Sequence, residues 1–183
     1  MAAYRGWWAV AGGWAVDLHL GRQTRTHDDV EVTTLRADLD LLHGTFPGSW
    51  EFVQPHPLGF GDAGIRHPWD GSHLSLPVHQ VAVAAPNGRL DVVLSEGDGA
   101  VWRFRRDPRV TLPLGEAALQ AAQGLPYLAP AVVLLFKAKR TLPKDERDFA
   151  ELGPALAATD REWLRTALTE VSPRHPWLDR LQG

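Results

Sequence analysis

The order of apolar and polar positions divides the chain into an alternating front and a helical back. Residues 7–11 (WWAVA) form a short apolar run that stops at Gly12-Gly13, the pattern of a buried strand entering a turn. Trp14 to Leu20 is predicted as a short helix, with Gly21 as its C-terminal stop. Residues 29–34 (DVEVTT) alternate and carry β-branched side chains, which predicts a strand. Leu35, Leu39 and Leu42 recur at helical spacing. Residues 47–77 are rich in Gly, Pro and His and predict irregular loops with short strands. VHQVAVAA and RLDVVL flank Pro86-Asn87-Gly88, a strong hairpin signal. Trp102 to Asp107 (WRFRRD) alternates apolar and basic residues, like an edge strand with one wet face, a pattern that base stacking and backbone binding could also use.

From about residue 113 the pattern changes. GEAALQAAQ, PAVVLLFKAKR, KDERDFAEL and DREWLRTALTEV all read as helices. Pro130 fits a first helical position. Thr159 with Glu162 has capping-box spacing. Ser172-Pro173 opens a further turn or short helix. The expected organisation is an α/β domain over residues 1–112 and a helical C-terminal subdomain over residues 113–183.

Composition acts mainly by exclusion. At 183 residues, with 44% hydrophobic and 22% charged positions, the chain has ordinary globular make-up and enough length for a sizeable core. The absence of Cys removes disulfide scaffolds, Cys-zinc sites and thiol catalysis. No apolar run reaches the ~20 residues of a membrane span, and the first residues lack the pattern of a signal peptide. A soluble cytoplasmic protein is the expectation. The net charge of −3 hides an asymmetry. Residues 1–100 hold six basic and twelve acidic residues, whereas residues 101–183 hold thirteen and ten. Chance variation of solvated surfaces explains such a split as readily as a functional pairing does. The balance argues against a broad nucleic-acid surface.

Candidate chemistry concentrates in His27-Asp28-Asp29-Val30-Glu31-Val32. On a strand, Val30 and Val32 would face the core, leaving His27, Asp29 and Glu31 on the opposite face. Adjacent carboxylates repel, and a divalent cation between them removes the repulsion. Hard oxygen donors of this kind suit Mg²⁺. Asp91 lies on another predicted strand and joins the patch if the two strands are neighbours. Three such acids can hold metals for in-line phosphoryl-type transfer. The D-x-E alone is also what a solvated acidic strand edge looks like. Gly12-Gly13 before a helix lets a phosphate approach the backbone and its N–H donors, although a tight turn needs the same residues.

The run Gly12-Gly13-Trp14-Ala15-Val16-Asp17, Leu20-Gly21-Arg22, Thr24-Arg25 and His27-Asp28-Asp29-Val30-Glu31 resembles the aminoglycoside nucleotidyltransferases, in particular their 2″-adenylyltransferase-like branch. It is also similar to small lincosamide nucleotidyltransferases. The wider group is the nucleotidyltransferase superfamily, marked by a Gly-Gly or Gly-Ser turn followed by D-x-D or D-x-E. The resemblance runs from about Trp7 to Asp148. It implies an α/β (α+β) fold with a mixed five-stranded sheet, flanking helices and a helical C-terminal part. It further implies Mg²⁺-dependent transfer of a nucleoside monophosphate, AMP from ATP, to a hydroxyl of a small acceptor such as an aminoglycoside. In that scheme Asp29 and Glu31 are the metal-binding pair and Asp91 is a metal ligand or general base. Gly12 and Gly13 form the phosphate turn. Glu31 departs from the Asp of the best-known aminoglycoside enzymes. Alternatives on the same fold are a protein, tRNA or metabolite acceptor, or a non-catalytic nucleotide-binding or antitoxin-like module.

Other residues have two readings each. Asp17 would pair with Arg22 or Arg25, or touch substrate. Arg22 and Arg25 would bind phosphate as bidentate donors, or lie exposed in a loop. His27 would orient Asp29, or pack as a hydrogen-bonded core histidine. His56, His67, His73 and His79 fit no metal pattern and read as surface residues. All three lysines fall within residues 137–144, and Lys137, after the apolar run VVLLF, is the best placed to neutralise a triphosphate. Glu146 and Arg147 read as a solvated helix face.

Overall fold

The computed structural model describes residues 1, 3–55, 64–85 and 88–182. Trp8–Val10 forms β1 and leads through Ala11 into helix α1, Gly12–Leu20. Gly21 closes that helix at φ 66°, a left-handed conformation that glycine adopts without steric cost. Glu31–Leu35 is β2, followed by a 3₁₀ turn and α2, Leu39–Thr45. Ser49–Gln54 (β3) and Ile65–Pro68 (β4) are the short strands of the Gly/Pro/His-rich stretch. Gln80–Ala85 (β5) and Gly88–Gly97 (β6) pair as the predicted hairpin. Pro86 and Asn87 of its turn lie outside the described residues, as does His56. Val101–Phe104 (β7) and Asp107–Pro113 (β8) form a second hairpin. Its alternation is as expected, with Trp102 and Phe104 buried.

The stretch GEAALQAAQ is not a helix. It forms a 3₁₀ turn at Leu114–Glu116 and then β9, Ala118–Gln120, which pairs with β10, Pro126–Leu128. The β10 strand in turn runs parallel to β1, with Val10 opposite Tyr127. Strand partners on a sheet edge therefore outweigh the helical propensity of its alanines. The helical part begins at α3, Pro130–Lys137, and continues with α4, Pro143–Leu152, α5, Ala158–Val171, and α6, Trp177–Arg180. Pro130 is at the helix start as its sequence position predicts. Thr159 is not a cap, because α5 starts one residue earlier, and its N-cap Ala157 makes no side-chain bond.

Among the described residues, eight strands run in the order β4-β3-β5-β6-β2-β1-β10-β9, with the β7–β8 hairpin attached to β6. Two pairs are parallel, β1 with β10 and β2 with β6. The sheet is thus mixed, and it extends beyond five strands through the β3–β4 and β9–β10 edges. Two apolar clusters support it. One joins α1, β7 and β10 to α3–α6, with Trp102, Leu134, Leu152, Leu168 and Trp177 fully enclosed. The other holds Leu42, Trp50, Trp69, Val81, Val92 and Leu94. Each large side chain buried this way contributes roughly 1.5–3 kcal/mol relative to exposure. Among the described residues, no helix is long and apolar enough to cross a membrane.

Candidate active site

The register of β2 against β6 places Glu31 directly beside Asp91. Strand neighbours on a parallel ladder project to the same face, so both reach one cavity of about 700 Å³. Asp29, Gly12, Gly13, Arg25 and Lys137 line it too. The three acids, the two glycines, Arg25 and Lys137 are therefore gathered around one space.

The strand starts later than its pattern predicts. Trp14 Nε1 donates to the Asp29 carbonyl at 3.0 Å, and Val30 is 48% exposed instead of facing the core. Asp28 to Val30 thus form a loop laid across the start of α1. His27 also leaves the expected acidic face. Its ring lies against Trp14, and its Nε2 meets Asp17 at 2.5 Å. The partner of Asp17 is accordingly His27, with the Thr24 amide and hydroxyl, instead of Arg22 or Arg25. Burial works against the Asp17 charge, but the Thr24 and His27 contacts outweigh it and hold the carboxyl below its ordinary range.

Gly12 and Gly13 bring the helix start onto the acids. Gly12 has φ 61°, and a Cβ there would come within 2.7 Å of Glu31 Oε2. A Cβ on Gly13 would meet the His27 ring and the Arg25 guanidinium. Burial, with Asp29 next in weight, pushes the Glu31 carboxyl up to about 7. Asp91 acts in the same direction, while Lys137 and Arg105 oppose. Asp91 accepts from Arg89 Nε at 3.1 Å and from Gln80 Nε2 at 3.4 Å.

Arg25 and Lys137 converge on Asp148, whose side chain is fully buried. Arg25 donates through Nε at 3.2 Å and Nη2 at 3.3 Å, and Lys137 Nζ sits at 2.6 Å. Lys137 also meets Asp145 at 3.3 Å, and Asp145 accepts the Leu142 amide at the start of α4. Both cations are thus fixed by α4, and neither is the exposed loop charge that sequence allows for Arg25. Arg22 reaches Glu151 on the same helix. Glu146 is not merely solvated: it accepts from Trp177 Nε1 and Arg180. His67 stacks on Phe52, and half-buried His79 holds the Pro77 carbonyl.

A second cleft of about 300 Å³ adjoins the first, lined by Trp14, His27, Val30 and Arg89. Asp28, Asp29 and Asp91 line both spaces, so the acids stand at their junction. As to a metal, no group of three or more His, Asp or Glu among the described residues is assembled to hold an ion. Asp29 and Glu31 fit a hard divalent cation by donor type, and the mutual repulsion at Glu31 is what a cation would relieve. Asp91, engaged by Arg89, is not part of a ready ligand set.

Sequence reasoning missed the Asp148 anchor and favoured a plain edge strand for the stretch that carries Arg105. Asp148 sat in a charge-rich helix start with nothing to separate it from its solvated neighbours. Arg105 occupies the two-residue turn between β7 and β8, and its position depends on a hairpin docking that periodicity does not encode.

The family model for aminoglycoside-2″-adenylyltransferase matches residues 3–46. No curated protein matches the sequence. Among solved structures, the antibiotic-resistance factor ANT(2″)-Ia in solution superposes with a TM-score of 0.53 at 15% identity, covering 96% of this chain and 86% of that one. The lincomycin-bound lincosamide antibiotic adenylyltransferase LnuA gives 0.50 at 16% identity, covering 80% and 85%. The fold is that of these nucleotidyltransferases, and the segment carrying the Gly-Gly turn and the D-x-E resembles the aminoglycoside-2″-adenylyltransferase family.

Proposed function

We propose that the protein is a nucleotidyltransferase that moves a nucleoside monophosphate, AMP from ATP, onto a hydroxyl of a small acceptor. The observation that carries this reading is the meeting of Gly12-Gly13, Asp29, Glu31 and Asp91 in the larger cavity, with Asp29 and Asp91 also lining the smaller cleft beside it. The larger cavity takes the triphosphate along the start of α1, beside the fixed cations Arg25 and Lys137. The smaller cleft takes the acceptor against Trp14.

Asp29 and Glu31 would hold Mg²⁺, which supplies charge neutralisation at the phosphates when bound. Asp91 lies where it can accept the acceptor's hydroxyl proton. The acceptor oxygen then forms a bond to the α-phosphorus as the bond to the bridging oxygen breaks, and pyrophosphate leaves with that electron pair. Arg89 keeps the Asp91 carboxylate oriented between the cavities. Glu31, packed against Gly12, fixes the distance between the acids and the phosphate turn. Such a reaction suits a cytoplasmic setting, where ATP is supplied.

The test is pyrophosphate release from ATP and Mg²⁺ with a panel of aminoglycosides, lincosamides, sugar alcohols and sugar phosphates. Release is expected to require an acceptor and to stop with EDTA. Acceptor-independent release, or none with any hydroxylated compound, would count against the reading.

A further inference from the structure

Arg105 stands apart from Arg25, Lys137 and Arg66, which line the same cavity. Arg25 and Lys137 are neutralised by Asp148 and Asp145. Arg66 pairs with Glu51. Arg105, among the described residues, has no carboxylate within ion-pairing distance and no hydrogen bond. Its guanidinium lies 5.1 Å over the Phe136 ring. Arg106, its neighbour in the turn, covers Phe104 and the same Phe136 ring and donates to the Phe136 carbonyl. Two like charges are thus held on one aromatic side chain at the cavity wall.

This arrangement is costly without a ligand. A partly desolvated guanidinium offers five donors in a fixed fork, and a ring face satisfies none of them as a hydrogen bond. Burial, then the charge of Arg106, bring Arg105 down to about 10, with Glu31 and Glu96 opposing, so it is still fully cationic at neutral pH. The turn that carries it is short and anchored by buried Trp102 and Phe104, which limits any swing toward solvent. An unpaired, positioned fork facing a cavity is suited to bidentate recognition of an oxyanion.

We infer that Arg105 is the anion receptor of the large cavity, binding a phosphate-type oxyanion of the ligand. Assigning that anion to the triphosphate tail rests on the nucleotidyl-transfer reading; the other source of the same chemistry is a phosphorylated acceptor. The hairpin turn, and not Lys137 of α3, would then supply this positive charge. Lys137 serves instead as part of the rigid wall.

The experiment is calorimetric titration of the wild type, Arg105→Gln and Arg105→Lys with tripolyphosphate, ATP and AMP, with circular dichroism checking the fold of each variant. Arg105→Gln is expected to weaken tripolyphosphate and ATP by roughly 10–100-fold, and AMP by far less. Arg105→Lys is expected to recover part of the loss, because it keeps the charge but not the fork. A second arm measures AMP transfer to a sugar phosphate against the uncharged sugar. Unchanged polyphosphate binding, with loss of a wild-type preference for the sugar phosphate, would place the anion on the acceptor and support the receptor role. Arg105→Gln equal to wild type in every arm would overturn it, as would a wild type that binds neither polyphosphate nor sugar phosphate. Lost tripolyphosphate affinity in a protein with no transfer activity keeps the anion site and removes the transfer reading. Unchanged affinities together with an unchanged sugar-phosphate preference in an active enzyme do the reverse.

Discussion

Gly12 is packed so closely on Glu31 that a single added Cβ would lie 2.7 Å from the Glu31 Oε2 atom. Gly21, at the other end of α1, has nearly the same left-handed backbone (φ 66° against 61°) but nothing within 4 Å of its would-be Cβ. The pair separates backbone strain from site geometry. Both Gly12→Ala and Gly21→Ala should cost about 1–2 kcal/mol of stability. Only Gly12→Ala should also displace Glu31, so kcat should fall by tenfold or more there and change little in Gly21→Ala. Equal activities in the two variants would refute the role of the contact.

Asp148 anchors two cavity cations from a fully buried position. Asp148→Ala leaves Arg25 and Lys137 without their shared partner, and breaking a buried ion pair of this kind costs about 3–5 kcal/mol. For a chain of this size that lowers Tm by roughly 10 °C. Thermal unfolding followed by circular dichroism checks it. A Tm unchanged within 2–3 °C, on the order of one kilocalorie by the same scaling, would show that solvent compensates both cations.

Asp91 sits where the two cavities meet. Asp91→Asn keeps the size and the Gln80 and Arg89 neighbours but removes the proton acceptor. The expected outcome is a fall in kcat of roughly 10²–10⁴-fold with ATP affinity nearly unchanged. A loss confined to ATP affinity would assign Asp91 to binding instead.

How much of this could be read from the chain differs from element to element. The Gly-Gly turn, β2, the β5–β6 hairpin and helices α3–α5 were legible because each carries its own local pattern. The convergence of Asp29, Glu31 and Asp91 was legible only conditionally, because it required β2 and β6 to be neighbours, and pairing across sixty residues leaves no local mark. GEAALQAAQ misled because its composition suits a helix while its backbone completes a sheet edge. His27 misled because alternation holds only within the strand, which starts at Glu31, after the Asp29 carbonyl that Trp14 holds. Charge was legible only in part. The lysine group marks the cavity wall, but the anchoring of Lys137 to Asp145 and Asp148 on the next helix leaves no local pattern.

His175 makes stability pH-dependent. It is buried, its Nε2 bonds the Ala138 carbonyl, and its Nδ1 accepts the Trp177 amide. Burial, only partly offset by the Ala138 carbonyl and Glu146, lowers its pKa below the ordinary value. The unfolded chain then binds the proton more readily, so stability falls as pH drops below the unfolded value of about 6.5. Protonation also costs Nδ1 its acceptor role. Tm is expected to fall between pH 7.5 and pH 5.5, and His175→Gln should flatten that dependence. The same slope in both proteins would rule His175 out as its source.

The acids of the larger cavity, Asp29, Glu31 and Asp91, are held to carry nucleotidyl transfer. That role is tested most directly by mass spectrometry of acceptors incubated with ATP and Mg²⁺, using the wild type, Asp29→Asn and Glu31→Gln. The account predicts an acceptor gaining one AMP unit with wild type, and a rate at least about a hundredfold lower in each folded variant. An AMP-modified acceptor formed equally fast by Asp29→Asn and Glu31→Gln would contradict it.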